Sequence, residues 1–143
     1  MAEQNYRNHR QVVPLFHVVA VLTLLAFISG AVRNLYQSWE RETFYEAALL
    51  VLAGILFCFY HYFTRSFALK AQDRAVRAEE SLRHFALTGK LPDPRLHLGQ
   101  IIALRFASDE EVIPLAQRAV AENLSPNEIK KAIKNWRPDF HRV

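Results

Sequence analysis

The sequence predicts an all-α membrane protein: a two-helix transmembrane hairpin, a long juxtamembrane helix and a small three-helix cytoplasmic domain. Two observations predict it. Residues 12–32 and 44–63 are apolar runs of membrane-spanning length, joined only by residues 33–43. From residue 64 onward the chain turns basic, and its apolar residues recur at helical spacing. This divides it into an N-terminal arm (1–11), the hairpin (12–63), a juxtamembrane helix (64–89) and a helical domain (90–143).

A bilayer core needs about 20 mainly apolar residues in a helix. The first run, VVPLFHVVAVLTLLAFISGAV, has 21 residues and no formal charge. The second, FYEAALLVLAGILFCFYHYF, has 20 and only Glu46 near one end. Core helices of a small soluble protein would show charge every turn, and these do not. Pro14 falls in the opening turn, where its missing N–H costs nothing. Ser29 and Ala31 form a small-x-small pattern of the kind cleaved after signal peptides, but the run is long for a signal sequence and is expected to stay as a span. Ala26 with Gly30, and Gly54 with Cys58, are small-xxx-small pairs suited to close helix contact. Cys58 is the single cysteine, which excludes a disulfide framework.

Orientation follows the Lys and Arg distribution. The arm holds Arg7 and Arg10, the connector balances Arg33 and Arg41 against Glu40 and Glu42, and 14 basic residues follow from Arg65. Both termini of this multi-pass protein are therefore expected in the cytoplasm, with the connector outside. Tyr36, Trp39 and Tyr45 would mark the outer interface, Tyr60 and Tyr62 the inner one.

The formal charge of +4 comes from the soluble part, with 14 basic against 10 acidic residues. Anionic lipid headgroups are the nearest partner for it, each Lys or Arg near that surface contributing about 1 kcal/mol. Residues 64–88 read as a helix continuing out of the second span, stopped by Gly89, Pro92 and Pro94. Along it Ala68, Ala71, Ala75, Ala78, Leu82 and Phe85 alternate at spacings of 3 and 4, a heptad seam rich in Ala. The plainest expectation is that this seam packs on the chain's own C-terminal domain; self-association is the other.

Residues 90–96 form a Pro-bearing linker, and three short helices should follow. The first, about 97–107, presents Leu98, Ile101, Ile102 and Phe106. The second opens on a Ser108/Glu111 capping box with the stripe Val112, Ile113, Ala116, Ala119 and Val120, and Pro114 should kink or delay it. The third has Ser125 as N-cap, Pro126 at N1 and Glu128 closing the box, then Ile129, Ala132, Ile133 and Trp136. The 39 residues 95–133 make a small core that should lean on the long helix or a partner.

His17 and His61 are the imidazoles inside the spans, roughly 7 and 11 Å to the cytoplasmic side of each midpoint at 1.5 Å per residue. Paired His could ligate haem or a pigment. Helices packed about 8–10 Å apart leave no room for a macrocycle between them, so a second copy would have to complete the site. Interfacial packing and interhelical hydrogen bonding are the plainer roles, and no cofactor is expected. Lys130, Lys131, Lys134 and Arg137 line the polar face expected on the last helix. They suggest a headgroup-facing or solvated surface, and secondarily a DNA reader, although no turn Gly precedes the helix.

Catalytic patterns are missing: no Gly-rich phosphate loop, no His/Cys metal spacing, no nucleophile elbow. Asp109, Glu110 and Glu111 suit a helix start. His9, His84, His97 and His141 are scattered. An enzyme is not expected.

The segments QNYRNHRQVVPLFH, SFALKAQDRAVRAEESLRHFALTGKLPDPRL, QIIALRFASDEE and LSPNEIKKAIKNWRPDFHRV together resemble a family of small bacterial membrane proteins known only as a domain of unknown function. The resemblance covers nearly the whole chain, with Pro114 a departure from it. It implies a two-span bacterial membrane protein and carries no catalytic or ligand residues. The expected function is a non-enzymatic accessory or scaffold protein. It would dock to other membrane protein subunits or form a homo-oligomer through the seam and the last helix.

Overall fold

The computed structural model describes residues 4–9 and 11–139; Arg10 and His141 lie outside the described residues. Among these there are five α-helices, preceded by a π-helical turn, and no β-strand. The chain divides into two compact units, Val12–Phe67 and Met1–Gln11 with Ala68–Val143.

In the first unit Pro14 takes helical dihedrals and opens the π-helical turn Leu15–Val19, which passes into α1, Ala20–Gln37. The following helix, α2, runs unbroken over Phe44–Thr88. Both are long and apolar enough to cross a membrane, and only 6% and 11% of the residues in their most apolar stretches are buried. The first apolar run ends at Val32, the helix that carries it continues to Gln37, and residues 38–43 connect it to the next helix. Apolar composition marks the length of a hydrophobic run; a helix stops where its hydrogen bonding stops. That point is Ser38, whose N–H reaches the carbonyls of Asn34 and Leu35 at 3.0 and 3.2 Å. The N–H of Arg41 then donates to Ser38 O, and that of Phe44 to Arg41 O, which tightens the connection.

Of the four small residues expected at a helix contact, only Gly54 packs inside this unit. A Cβ there would stand 3.0 Å from Ile28 Cγ1 and 3.4 Å from the Phe27 ring. Gly30 has nothing within 4 Å, and Ala26 and Cys58 are exposed. The side chains buried in this unit are instead those of Ala31, Ser38 and Ala47.

In the second unit α2 ends where Gly89 takes a φ of +72°, a conformation glycine adopts without steric cost, and its N–H caps Phe85 O at 2.7 Å. The linker is pinned by Asp93, which accepts from the Arg95 backbone N–H at 2.9 Å and from its guanidinium at 2.7 Å. These bonds hold the Asp93 carboxyl down at about 2. Three helices follow: α3, Leu98–Leu104; α4, Asp109–Ala121; and α5, Pro126–Ala132. They enclose a core of Ile101, Leu104, Phe106, Leu115, Ala119 and Ile129, among others.

Caps explain where these helices start. At α5, Ser125 Oγ accepts from Glu128 N–H while the Glu128 carboxylate accepts from Ser125 N–H at 2.7 Å. At α3 a box absent from the sequence reading forms between His97 and Gln100: the Gln100 N–H donates to His97 Nδ1, and the His97 N–H to Gln100 Oε1. Gln100, 2% exposed, also donates through Nε2 to Leu124 O at 2.9 Å.

The expected Ser108/Glu111 box does not form. Ser108 is the N-cap of α4 by its backbone alone. The Glu111 carboxylate is taken by the backbone N–H groups of Lys134 and Asn135, at 3.1 and 3.2 Å. Those bonds also explain why α5 stops early. Ile133 is already extended, and Ala107 pairs with Trp136 in an antiparallel bridge flanked by Ser108 N–H to Asn135 O and Arg137 N–H to Phe106 O. Trp136 therefore leaves the helical stripe expected for it. Pro114 sits inside α4 without delaying its start at Asp109.

Candidate functional site

Within the second unit, α2 is held by one face. Val76 is buried, and the neighbouring contacts are ionic. The Arg83 guanidinium donates through Nε to Asp109 at 2.7 Å, through Nη1 to Glu80 at 3.1 Å and through Nη2 to Ala107 O at 2.8 Å. Arg137 adds a longer contact to Glu80 at 3.4 Å. Two of the carboxylates expected merely to sit at a helix start thus act across the fold, Asp109 on Arg83 and Glu111 on the segment after α5.

The Ala seam lies on the other side of α2. Ala68 is half-buried, but Ala71, Ala75 and Ala78 are exposed, with Leu82 at 69% and Phe85 at 51%. The expectation that the seam packs on the chain's own domain is therefore corrected. At about 100° per residue, Val76, Glu80 and Arg83 fall on a different side of the helix from Ala71, Ala78 and Phe85. Charged groups at 80 and 83, rather than the apolar seam, made the contact with the domain.

The basic residues are not one solvated helix face either. Only Lys130 and Lys131 lie on α5; Lys134 and Arg137 follow it, because the helix ends at Ala132. Lys131 Nζ stands over the Tyr6 ring at 5.7 Å and Lys130 Nζ over Phe106 at 5.9 Å, and Lys130 Nζ is 3.3 Å from His9 Nε2. His9 lies 5.8 Å, centroid to centroid, from Tyr6, Phe106 and Trp136 alike. The buried Arg105 also stands over the Phe106 ring, 4.7 Å from its centroid, with its Nε 3.2 Å from Asp139 Oδ2. Asp139 N–H donates to Gln4 Oε1 at 2.8 Å. The N-terminal arm is thus part of this unit, which the sequence reading missed. Its one local signal is the i, i+3 pair of rings, Tyr6 and His9, in an otherwise polar arm.

The two imidazoles of the first unit both meet Phe16. His61 stacks on it at 4.2 Å and 14°, and His17 meets it edge-on at 5.4 Å. His17 Nδ1 also lies 3.0 Å from Val13 N and O. Beside His61 a largely apolar groove of about 470 Å³ is lined by Phe16, Thr23, Leu24, Phe57 and Tyr60. The Arg65 guanidinium stands over the Phe16 ring, 5.8 Å from its centroid. Among the described residues no group of three or more His, Cys, Asp or Glu could hold a metal ion.

Against known proteins, the model of a family of unknown function (DUF6526) matches residues 1–143, and the chain belongs to that family. No curated protein and no solved structure matches it.

Proposed function

We propose that this DUF6526 protein is a non-enzymatic accessory or scaffold protein of a bacterial inner membrane. Residues 12–63 would anchor it as a transmembrane hairpin, with both termini in the cytoplasm. The α2 face would dock to other membrane protein subunits or to further copies of the chain. The observation that carries this reading is that face itself. Ala71, Ala75, Ala78, Leu82 and Phe85 stay uncovered while α3, α4 and α5 complete a core without them.

The membrane part rests on uncovered apolar surface. Leu22, Leu25, Leu52, Leu56 and Phe59 are each more than half exposed, and removing such a side chain from water is worth about 1.5–3 kcal/mol. A lipid environment supplies that. The Lys/Arg bias after residue 64 favours the cytoplasm for the domain, and exposed Tyr36, Trp39 and Tyr45 suit the opposite interface.

The test is the native mass of the protein, extracted from its own membranes in mild detergent, with every bound component identified. A stoichiometric complex, homomeric or mixed, supports the reading. A lone 16.5 kDa chain carrying only detergent and lipid would overturn it.

A further inference from the structure

We propose that the occupant of the uncovered α2 face is a second copy of this chain, the two helices running parallel and in register. The inference deepens the scaffold reading and rests on it. In heptad terms Ala68, Ala75 and Leu82 occupy a positions, and Ala71, Ala78 and Phe85 occupy d positions. Alanine at four of these six allows close backbone approach, and the larger Leu82 and Phe85 fill the end near Gly89.

The flanking charges select the partner and its direction. Arg74 falls at g and Glu79 at e of the next heptad, five residues on, and in a parallel pair a g residue faces that e residue of the other helix. Two copies therefore form two Arg74–Glu79 pairs, one on each side of the seam. An antiparallel pair would bring g to g and e to e, like charge to like. Both side chains are exposed, and neither has a salt bridge or side-chain hydrogen bond among the described residues. The intramolecular contacts of α2, through Val76, Glu80 and Arg83, leave this face clear. A seam of under three heptads is short for pairing in free solution. Anchorage in one bilayer would hold the copies parallel and raise their effective concentration.

The test uses the full chain in its own membranes, with Cys58→Ala removing the native thiol. Ala71→Cys and Ala78→Cys should each oxidise to a cross-linked species of twice 16.5 kDa, and Arg77→Cys, off the seam, should not. In the Ala78→Cys background, Arg74→Glu or Glu79→Arg alone should lower the cross-linked fraction about tenfold, and the double exchange should restore it. Equal cross-linking at Arg77, no cross-linking at all, or a double exchange no better than either single one overturns the proposal. Absence of cross-linking together with a stoichiometric foreign subunit removes the second copy and leaves the scaffold reading standing. Absence of cross-linking with nothing bound removes both.

Discussion

The Arg83 guanidinium and the Asp109 carboxylate meet at 2.6 Å across 26 residues of sequence, joining the late part of α2 to the first residue of α4. Arg83 is only 11% exposed and also holds Glu80, itself 10% exposed. Removing the guanidinium would leave a mostly buried carboxylate with only Arg137, at 3.4 Å, as its partner. Arg83→Met should therefore destabilise the second unit by about 2–3 kcal/mol. Hydrogen exchange of the full chain reads this as lost amide protection across α4. Protection equal to wild type would show that the ionic contact does not hold α2.

Gln100 should be nearly as sensitive. Its side chain accepts from the N–H of the exposed His97 and donates to the carbonyl of the buried Leu124. Gln100→Leu keeps the volume and leaves the buried Leu124 carbonyl unpaired, at about 1–3 kcal/mol. Thermal unfolding followed by circular dichroism should show a fall in Tm on the order of 10 °C. A fall of a degree or two would mean that water replaces the amide.

The double change Ala71→Glu with Ala78→Glu should separate folding from assembly. Both positions are exposed, so unit stability should move by no more than about 0.5 kcal/mol. Assembly should nonetheless be lost, because four carboxylates would face one another across the seam. Native mass and circular dichroism on one sample decide it. An intact complex would show that the seam is not the contact.

The linker carries a defined pH response. Asp93 has its carboxyl held at about 2 by bonds from Arg95, below its usual 3.8. A lowered carboxyl contributes its stabilisation fully above the ordinary value and loses it as pH falls through the lowered one. The Asp93–Arg95 contact should thus persist at pH 4 and give way toward pH 2. A carbon-detected NMR titration of the Asp93 carboxyl gives the midpoint directly. A midpoint near 3.8 would mean that the bonds to Arg95 are not kept in solution.

What could be read from the sequence was local. The two apolar runs, the stop at Gly89 and the Ser125–Pro126–Glu128 start of α5 each depend on residues within a turn of one another. Glu111 shows the limit. Three residues after Ser108 it reads as half of a capping box, but two N–H groups at 134 and 135 compete for the same carboxylate and win. That competition also ends α5 before Lys134, so the basic face expected on the last helix was lost together with the box. The direction of the Ala seam failed for a related reason. Helical spacing shows which residues share a face, whereas the face that meets the domain was set by Arg83 with Asp109, a pairing between distant residues. The arm was illegible because His9 meets rings at 106 and 136 and Tyr6 lies under Lys131, all distant in sequence.

Those ring contacts constrain how the protein can be made. Residues of the arm are synthesised before α1 and α2, yet the aromatic shelf that receives His9 is complete only once Trp136 has been translated. Every residue of α1 and α2 is synthesised in between. During that interval His9 lacks the rings it packs on, and closure of this unit must wait for them. The arm is thus open to chaperones, targeting factors or proteases while both long helices are being made, and is withdrawn from them once residue 136 has emerged.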